Sequence, residues 1–303
     1  MAAARKKAGG LAMEKYRRNK AELGDAASAS AAEGRQDWLK QLEAEYARKA
    51  IRTAAAVRLV QLLLLAGMLG LWEAAGGNGW IDPLLFSYPS RIFSYLWTAA
   101  ADGTLWPHLL TTVIETVSGF VLGTLLGAGL AALLWWIPFL SRVFDPYMVV
   151  MNSMPKVALG PILIVGLGPG YLSIIATALS VTVIITTLVI YNRFREIDGN
   201  YVKVIRLFGG TRGQVFRFAI LPASFPAIVS ALKVNVGLAW IGVIVGEFLT
   251  AKQGLGYLII YGFQVFNFTL VLSSLMVIAV VAAGMYRLVS ALESLLTSGW
   301  RER

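Results

Sequence analysis

The sequence contains no cysteine and only one histidine, His108, among its 303 residues. The lack of cysteine excludes disulfides and thiolate metal sites, and a single histidine leaves almost no material for a histidine-based catalytic triad. No stretch reads Gly-x-x-x-x-Gly-Lys-Ser/Thr, so the chain has no phosphate-binding loop and supplies no ATPase chemistry of its own. We therefore expect no catalytic residue, no metal site and no cofactor held by this chain.

Charge is also scarce, because charged residues make up 15% of the chain and hydrophobic residues 57%. This balance lies far from that of soluble proteins and indicates an integral membrane protein. A net charge of +10 would suggest nucleic acid if it covered a soluble face. Instead, Lys and Arg concentrate in the N-terminal tail and in the loop 192–219, which is the distribution of a membrane protein.

Six apolar segments follow the tail, and each is long enough to cross a bilayer, for which a helix needs about 20 apolar residues. Their predicted bounds are 55–75, 111–136, 147–165, 171–191, 222–246 and 268–288. A glycine-rich turn at 166–170 separates the third span from the fourth, and Pro155 and Pro161 predict a broken helix in the third. The predicted fold class is an all-α integral membrane protein with six transmembrane helices.

The asymmetry of basic residues predicts the orientation of these spans. Thirteen Lys and Arg residues lie in 1–58 and six in 192–219, whereas 76–108 and 249–267 hold one each. Basic residues are retained on the cytoplasmic side, so both termini are predicted to be cytoplasmic. The predicted domains are a basic N-terminal tail, 1–54, with an amphipathic helix over 36–52, a six-span domain, 55–293, and a C-terminal tail, 294–303.

Close packing is the expected role of Gly119, Gly123 and Gly127, which lie four residues apart on one face of the second span. The loop 192–221 has a different character, since it contains a short helix with both apolar and basic residues. Such a helix needs a protein partner at the membrane surface. Gly209-Gly210 at its end permits a sharp turn and a close approach by that partner.

The spacing of this loop resembles that of binding-protein-dependent ABC importer permeases. Their pattern is Glu-Ala-Ala, three residues, Gly, nine residues and Ile-x-Leu-Pro. Here Gly209 and Leu221-Pro222 are in register, while Lys203-Val204-Ile205 replaces the triplet and Ala219 the Ile. Further resemblances lie at Pro89-Ser90, at 154–161 and at 239–259, so the likeness extends over roughly 88–293 and points to the nitrate, sulfonate, taurine and bicarbonate branch.

The resemblance implies a type I importer permease fold in the cytoplasmic (inner) membrane of a prokaryote. It implies docking of an ATPase subunit by Lys203, Arg206, Leu207, Phe208, Gly209, Gly210, Thr211, Leu221 and Pro222. ATP and magnesium would be held by that partner ATPase. The other implied partners are a second ATPase, a second permease copy in a homodimer, an extracytoplasmic solute-binding protein and membrane lipid, but no nucleic acid.

Ionisable residues inside the spans are costly in lipid and usually face a cavity or a partner. They are Glu115, Lys156, Lys233 and Glu247. Irregular backbone at membrane depth, as expected near Pro155, has the same implication. Candidates for the translocation path are therefore Asn152, Met154, Lys156, Lys233, Asn235, Trp240 and Glu247. Snorkelling, a structural ion pair or ordinary helix packing remain alternatives for the individual residues.

The predicted function is transport of a small anion by alternating access, driven by ATP on the partner subunits. A small heterocyclic vitamin precursor is the alternative substrate. An ion-coupled secondary transporter would instead show a midplane carboxylate site and no ATPase partner. A membrane scaffold that acts through its basic tail is a further alternative.

Overall fold

The structure is a computed structural model that describes residues 45, 46, 48, 49 and 51–297. Most of the predicted N-terminal tail and residues 298–303 therefore lie outside the described residues, as does most of the amphipathic helix predicted over 36–52. The described part of the chain is helical and contains no strand. Its α-helices are α1 (Ile51–Gly77), α2 (Pro83–Phe86), α3 (Pro89–Ala101), α4 (Leu105–Trp136), α5 (Pro138–Ser153), α6 (Gly160–Leu167), α7 (Tyr171–Glu196), α8 (Gly199–Leu207), α9 (Arg212–Val215), α10 (Leu221–Thr250), α11 (Leu255–Gln264) and α12 (Phe268–Thr297).

Five of the described helical segments are long and apolar enough to cross a membrane, and a bent pair brings the number to six. The five are α1, α4, α7, the stretch Arg212–Thr250 that contains α10, and α12. Residues up to Leu71 and residues from Trp72 onward form two separate units. In the first unit, the apolar side chains of α1 are exposed, as expected for a helix that meets lipid.

The third predicted span, 147–165, is a bent pair of helices that begins earlier than predicted, at Pro138. α5 ends at Ser153, and the helix that follows, Lys156–Leu167, is bent from it by 99°. Met154 precedes a proline and is extended (φ −72°, ψ 144°) because the proline ring disfavours the α conformation in the residue before it. A 3₁₀ turn over Lys156–Leu159 then leads into α6. The predicted break is confirmed, but its consequence is two short helices at a wide angle.

The fifth span also begins earlier than the predicted residue 222. A continuous helical stretch runs from Arg212 to Thr250, and Phe216–Ile220 within it is a π-helix. Pro222 has no amide hydrogen to donate to the preceding turn, and its ring needs extra room there. The wider π turn supplies that room, so the chain continues through Leu221-Pro222 without a break.

Helices α4, α7 and α10 form the centre of the bundle, and glycines set their separation. A Cβ added at Gly119 would lie 2.6 Å from the Cβ of Ala178, and one at Gly123 would collide with the Thr182 hydroxyl. Gly242 of α10 approaches the backbone of Ala178 in the same way. The predicted packing role of the α4 glycines is confirmed, because only a hydrogen side chain lets these backbones come so close.

Candidate functional site

The exposed end of α8 is the first candidate site. Leu207 is 85% exposed and Phe208, which follows the helix, is 89% exposed. Val202 and Ile205, on the other face, pack against a core formed by the ends of α4, α5 and α7. One apolar face of the helix therefore packs in the core, while the apolar side chains at its end are exposed to solvent. These exposed side chains belong to the segment predicted to dock a partner, and that role stays a prediction.

Two glycines form the turn after this helix, each for a different reason. Gly209 has a left-handed backbone (φ 77°) and its amide donates to the carbonyl of Arg206 (2.9 Å). Gly210 donates to the carbonyl of Ile205 (2.9 Å), and a Cβ at Gly210 would collide with the Ile205 side chain. The chain then enters α9 through Thr211. The predicted sharp turn is confirmed, and it closes the helix end with αL geometry.

Side-chain contacts attach helix α9 to the membrane spans. Thr211 and Gln214 form a reciprocal capping box, in which the Thr211 amide donates to the Gln214 side chain (2.7 Å). The guanidinium of Arg212 donates to the carbonyl of Trp135 (2.9 Å) and lies over its ring, at the end of α4. Phe216 packs on Trp135 with ring centroids 5.0 Å apart. A force applied to this loop is therefore transmitted directly to the spans.

The structure brings most of the predicted docking residues together. Lys203 and Arg206 are exposed on α8 beside the apolar end, and the two glycines and Thr211 continue the same segment. Leu221 and Pro222 lie apart from it along the chain, in the first turn of α10 beyond the π-helix. Their assignment to the docking surface stays a prediction.

The predicted path residues fall into two groups. Asn152, Met154 and Lys156 lie at the bend between α5 and α6, where Met154 is exposed and Lys156 half-buried. The Lys156 ammonium donates to the carbonyl of Asn152 (2.8 Å), which is the last-turn position that attracts a cation. No carboxylate pairs with Lys156 among the residues that the structure describes. This bend is therefore the accessible half of the predicted path.

Lys233, by contrast, has an acidic partner within the chain. Its ammonium lies 2.6 Å from a carboxylate oxygen of Glu293 on α12, and both side chains are half-buried. The pair joins the middle of α10 to the last turns of α12. A structural ion pair was one of the alternatives for such a residue, and the contact fits that alternative.

Asn235 and Trp240 are buried between spans. The Asn235 amide donates to the hydroxyls of Thr124 (3.0 Å) and Thr186 (2.7 Å), and so joins α10 to α4 and α7. Trp240 packs with Val236 and Val289 in a core shared with α12. Both residues hold helices together in this conformation, and their place in a path stays a prediction.

Glu247 caps a neighbouring helix. Its carboxylate accepts from the Gly256 amide (2.5 Å), in the first turn of α11, and from the Thr112 hydroxyl (2.6 Å) on α4. Thr112 accepts in turn from the Leu255 amide (2.7 Å). His108 accepts from the Gly254 amide at Nδ1 (3.1 Å) and stacks on Tyr257. The segment 254–257 is thus held by buried side chains of two spans.

Sequence reasoning missed two features of this end of the bundle. The Glu115 carboxyl lies in hydrogen-bonding contact with that of Glu247, although the two residues are 132 positions apart. A polar cavity of about 750 Å³ also opens between α3 and the start of α12, lined by Arg91, Asp102 and Asn267 among others. No sequence pattern could have paired the two glutamates, because they meet only through the packing of α4 on α10.

Residues 119–298, more than half of the chain, match the family described as binding-protein-dependent transport system inner membrane component. The chain belongs to this family. The permease resembles an ABC transporter permease protein of Haemophilus influenzae, with 28% identity over 231 residues that cover 76% of this chain and 94% of the relative. It is 28% identical to the riboflavin transport system permease protein of Chloroflexus aurantiacus, over 78% of this chain and 87% of the relative. It is 25% identical to the taurine transport system permease protein of Escherichia coli, over 72% and 81%.

Solved importers share the fold of the permease. A bacterial ABC transporter involved in the import of alginate matches with a TM-score of 0.58 at 14% identity, over 85% of this chain and 99% of that one. The MetNI methionine ABC transporter in an inward-facing conformation matches with a TM-score of 0.52 at 22% identity, over 64% and 95%. The predicted fold, an all-α type I importer permease, is thereby confirmed, and the chain is a multi-pass membrane protein.

Proposed function

We propose that this permease moves a small anion across the cytoplasmic membrane, driven by an ATPase that docks on the end of α8. The observation that supports this proposal is the exposed pair Leu207 and Phe208, held rigidly by the Gly209-Gly210 turn. Hydrophobic burial would favour a partner there. Lys203 and Arg206 flank the pair, so the complementary surface of the partner would be acidic.

The contacts between the docking loop and the spans would couple closure of the ATPase pair to movement of the central helices. ATP and magnesium would bind between two ATPase subunits, and closure of that pair would move the docked loops. Arg212 and Phe216 connect α9 to the ends of α4 and α7, so the motion would reach the central helices as a rigid-body change. Two permease copies, related as a homodimer, would enclose the path.

The excess of Lys and Arg residues in the basic loop and the tail predicts that the loop with α8 and both termini lie in the cytoplasm. The polar cavity between α3 and α12 would then face outward, where a solute-binding protein delivers the substrate. Lys156, at the bend of the third span, has no carboxylate partner in the described part of the chain, unlike Lys233. It could offset the desolvation cost of an anion at membrane depth.

The docking proposal is tested by changing Phe208 to Asp and measuring how much ATPase co-purifies with the permease. The side chain is 89% exposed, so membrane insertion and folding should be unchanged. Loss of an aromatic hot spot costs about 2 kcal/mol or more, so ATPase binding should weaken by roughly thirtyfold. Gly209→Trp should have a similar effect, because its left-handed backbone disfavours a side chain.

Phe93→Asp is the matched control, since Phe93 is 68% exposed but lies on α3 rather than on the loop. It should retain the ATPase fully. If Phe208→Asp and Gly209→Trp both retain the ATPase and support ATP-driven uptake, the docking surface lies elsewhere and the proposal is wrong.

The substrate class is tested on the solute-binding protein that delivers substrate to the permease under this proposal. We expect calorimetric binding of one of taurine, an alkanesulfonate, nitrate or bicarbonate, and uptake of the same compound by cells that express the complete transporter. A heterocyclic vitamin precursor is the second candidate, because a riboflavin transport permease is among the relatives. Tight binding of riboflavin or a pyrimidine precursor, with no binding of any anion, would refute the anion assignment.

A further inference from the structure

Two carboxyl groups meet in the interior of the bundle, at the end that carries α11. Glu115 of α4 and Glu247 of α10 are each 1% exposed, and their carboxyl groups are in hydrogen-bonding contact. Neither forms an ion pair with a Lys, Arg or His side chain among the described residues. Two ionised carboxylates in contact at a buried site would repel each other strongly, and a buried charge is costly even alone.

The hydrogen bonds around the pair assign the negative charge to Glu247. Its oxygens accept from the Thr112 hydroxyl and from the amides of Gly256 and Tyr257. Those two amides belong to the first turn of α11, where the helix dipole also stabilises an anion. Three donors and a helix N-terminus therefore stabilise Glu247 as a carboxylate.

Glu115 has the opposite environment. Its Oε2 is buried and has no hydrogen-bond partner among the described residues. As a carboxylic acid it can donate its own O–H to Glu247, which satisfies the contact between the two groups. The same side chain borders a cavity of about 320 Å³, lined also by Tyr171, Thr250 and Lys252, which gives water a route to the pair.

A metal ion is a poor alternative occupant of this site. Thr112 already donates to Glu247 and accepts from Leu255, so the proton and one of the two lone pairs of its hydroxyl are used. Both oxygens of Glu247 already accept hydrogen bonds as well. The described residues contain no group of three or more His, Cys, Asp or Glu side chains that could hold a metal. Hard cations require six or more oxygens.

We propose that Glu115 and Glu247 form a single-proton site, in which one proton bound on Glu115 bridges the two carboxyl groups and locks α4 to the α10–α11 connection. Removal of the proton places two anions in contact and pushes α4 away from α10. The lock would then open, and the segment 254–257 would lose the carboxylate that holds it. Four other titratable groups border this region: His108 on α4, Tyr171 on α7, Lys252 in the connection and Tyr257 on α11.

The test uses the purified full-length permease in lipid nanodiscs, without ATPase or binding protein, so its outcome is independent of the proposed transport function. Infrared difference spectra should show the carbonyl stretch of a protonated carboxylic acid at neutral pH in the wild type. The band should disappear in Glu115→Gln and persist in Glu196→Gln, a control at an exposed carboxylate at the end of α7. A neutral pH spectrum without the band, or one that Glu115→Gln leaves unchanged, would overturn the proposal.

Thermal unfolding provides a second readout. As the pH rises, the wild type should lose melting temperature when the proton leaves, because repulsion then acts only in the folded state. Glu115→Gln, which keeps a neutral hydrogen-bond donor, should lack this loss of melting temperature. The Glu196→Gln control, in which the Glu115–Glu247 pair and the other titratable groups are unchanged, should show the same loss as the wild type. Equal loss in wild type and Glu115→Gln contradicts the proposal.

Two further measurements separate the alternatives. Replacing choline chloride by sodium chloride should not change the stability of the wild type. Sodium-dependent stabilisation that Glu115→Gln abolishes would mean that a cation occupies the pair, and the proton assignment would be wrong. If Glu115→Gln fails to fold, infrared titration of the wild type alone still tests the proposal. A carboxylic acid that ionises over the same pH range as the surface carboxylates would contradict the single-proton site.

Discussion

At the scale of single residues, glycines on α4 that look alike in the sequence have different roles. Gly123 and Gly129 both lie in the second span, but only Gly123 meets α7, where a Cβ would collide with the Thr182 side chain. A Cβ added at Gly129 would meet no atom of a neighbouring element within 4 Å. The four-residue spacing places 119, 123 and 127 on one face of the helix, and Gly129 lies off that face.

Gly123→Ala should therefore destabilise the permease and Gly129→Ala should not. Overpacking a close helix contact costs about 1–3 kcal/mol, which should lower the melting temperature of the purified protein. Tryptophan fluorescence can follow unfolding, since the chain has nine Trp residues. Equal melting temperatures for the two variants would mean that α4 and α7 can separate at no cost, against the observed contact.

At the scale of helices, two positions depart from the simple rule of one apolar segment for each straight helix. The third span is divided at Met154–Pro155 and bent by 99°. The fifth instead continues through Pro222, because the π-helix Phe216–Ile220 makes room for the ring. Pro155 lies inside the third span and predicted its break, whereas Pro222 lies at the start of the fifth. The size of the bend and the π-helix were not predictable from these prolines.

The loop between α7 and α10 was also predictable in part from the sequence. An amphipathic helix followed by a glycine turn was predictable, because Gly209-Gly210 directly follows a run of apolar and basic residues. The attachment of the loop was not, since it depends on Arg212 reaching the carbonyl of Trp135, which is 77 residues away in the chain. That attachment makes the element suitable for coupling a partner to the spans.

At the scale of the whole molecule, the arrangement of six spans implies a definite topology. The segments after α1 and after α10 contain one Lys or Arg each, whereas the loop with α8 contains six. A reporter fused after Asp82 should therefore be active outside the cytoplasm, and one fused after Gly210 inside it. Alkaline phosphatase and green fluorescent protein fusions at both positions provide reciprocal readouts. The reverse result at both positions would contradict the predicted orientation.

The sequence by itself determined that this protein is an α-helical membrane permease. Long apolar segments, scarce charge and the Gly209 to Leu221-Pro222 spacing are local properties of the chain, and lipid imposes helices on any segment that crosses it. The approximate spans and the packing face of α4 followed for the same reason.

Only the tertiary structure decided how the ionisable residues inside the membrane are used. Lys233 pairs with Glu293, and Glu247 meets both the first turn of α11 and the carboxyl of Glu115. These partners lie between 9 and 132 residues away along the chain. The energy of a buried charge depends on the groups that surround it in space, and helix packing brings those groups together.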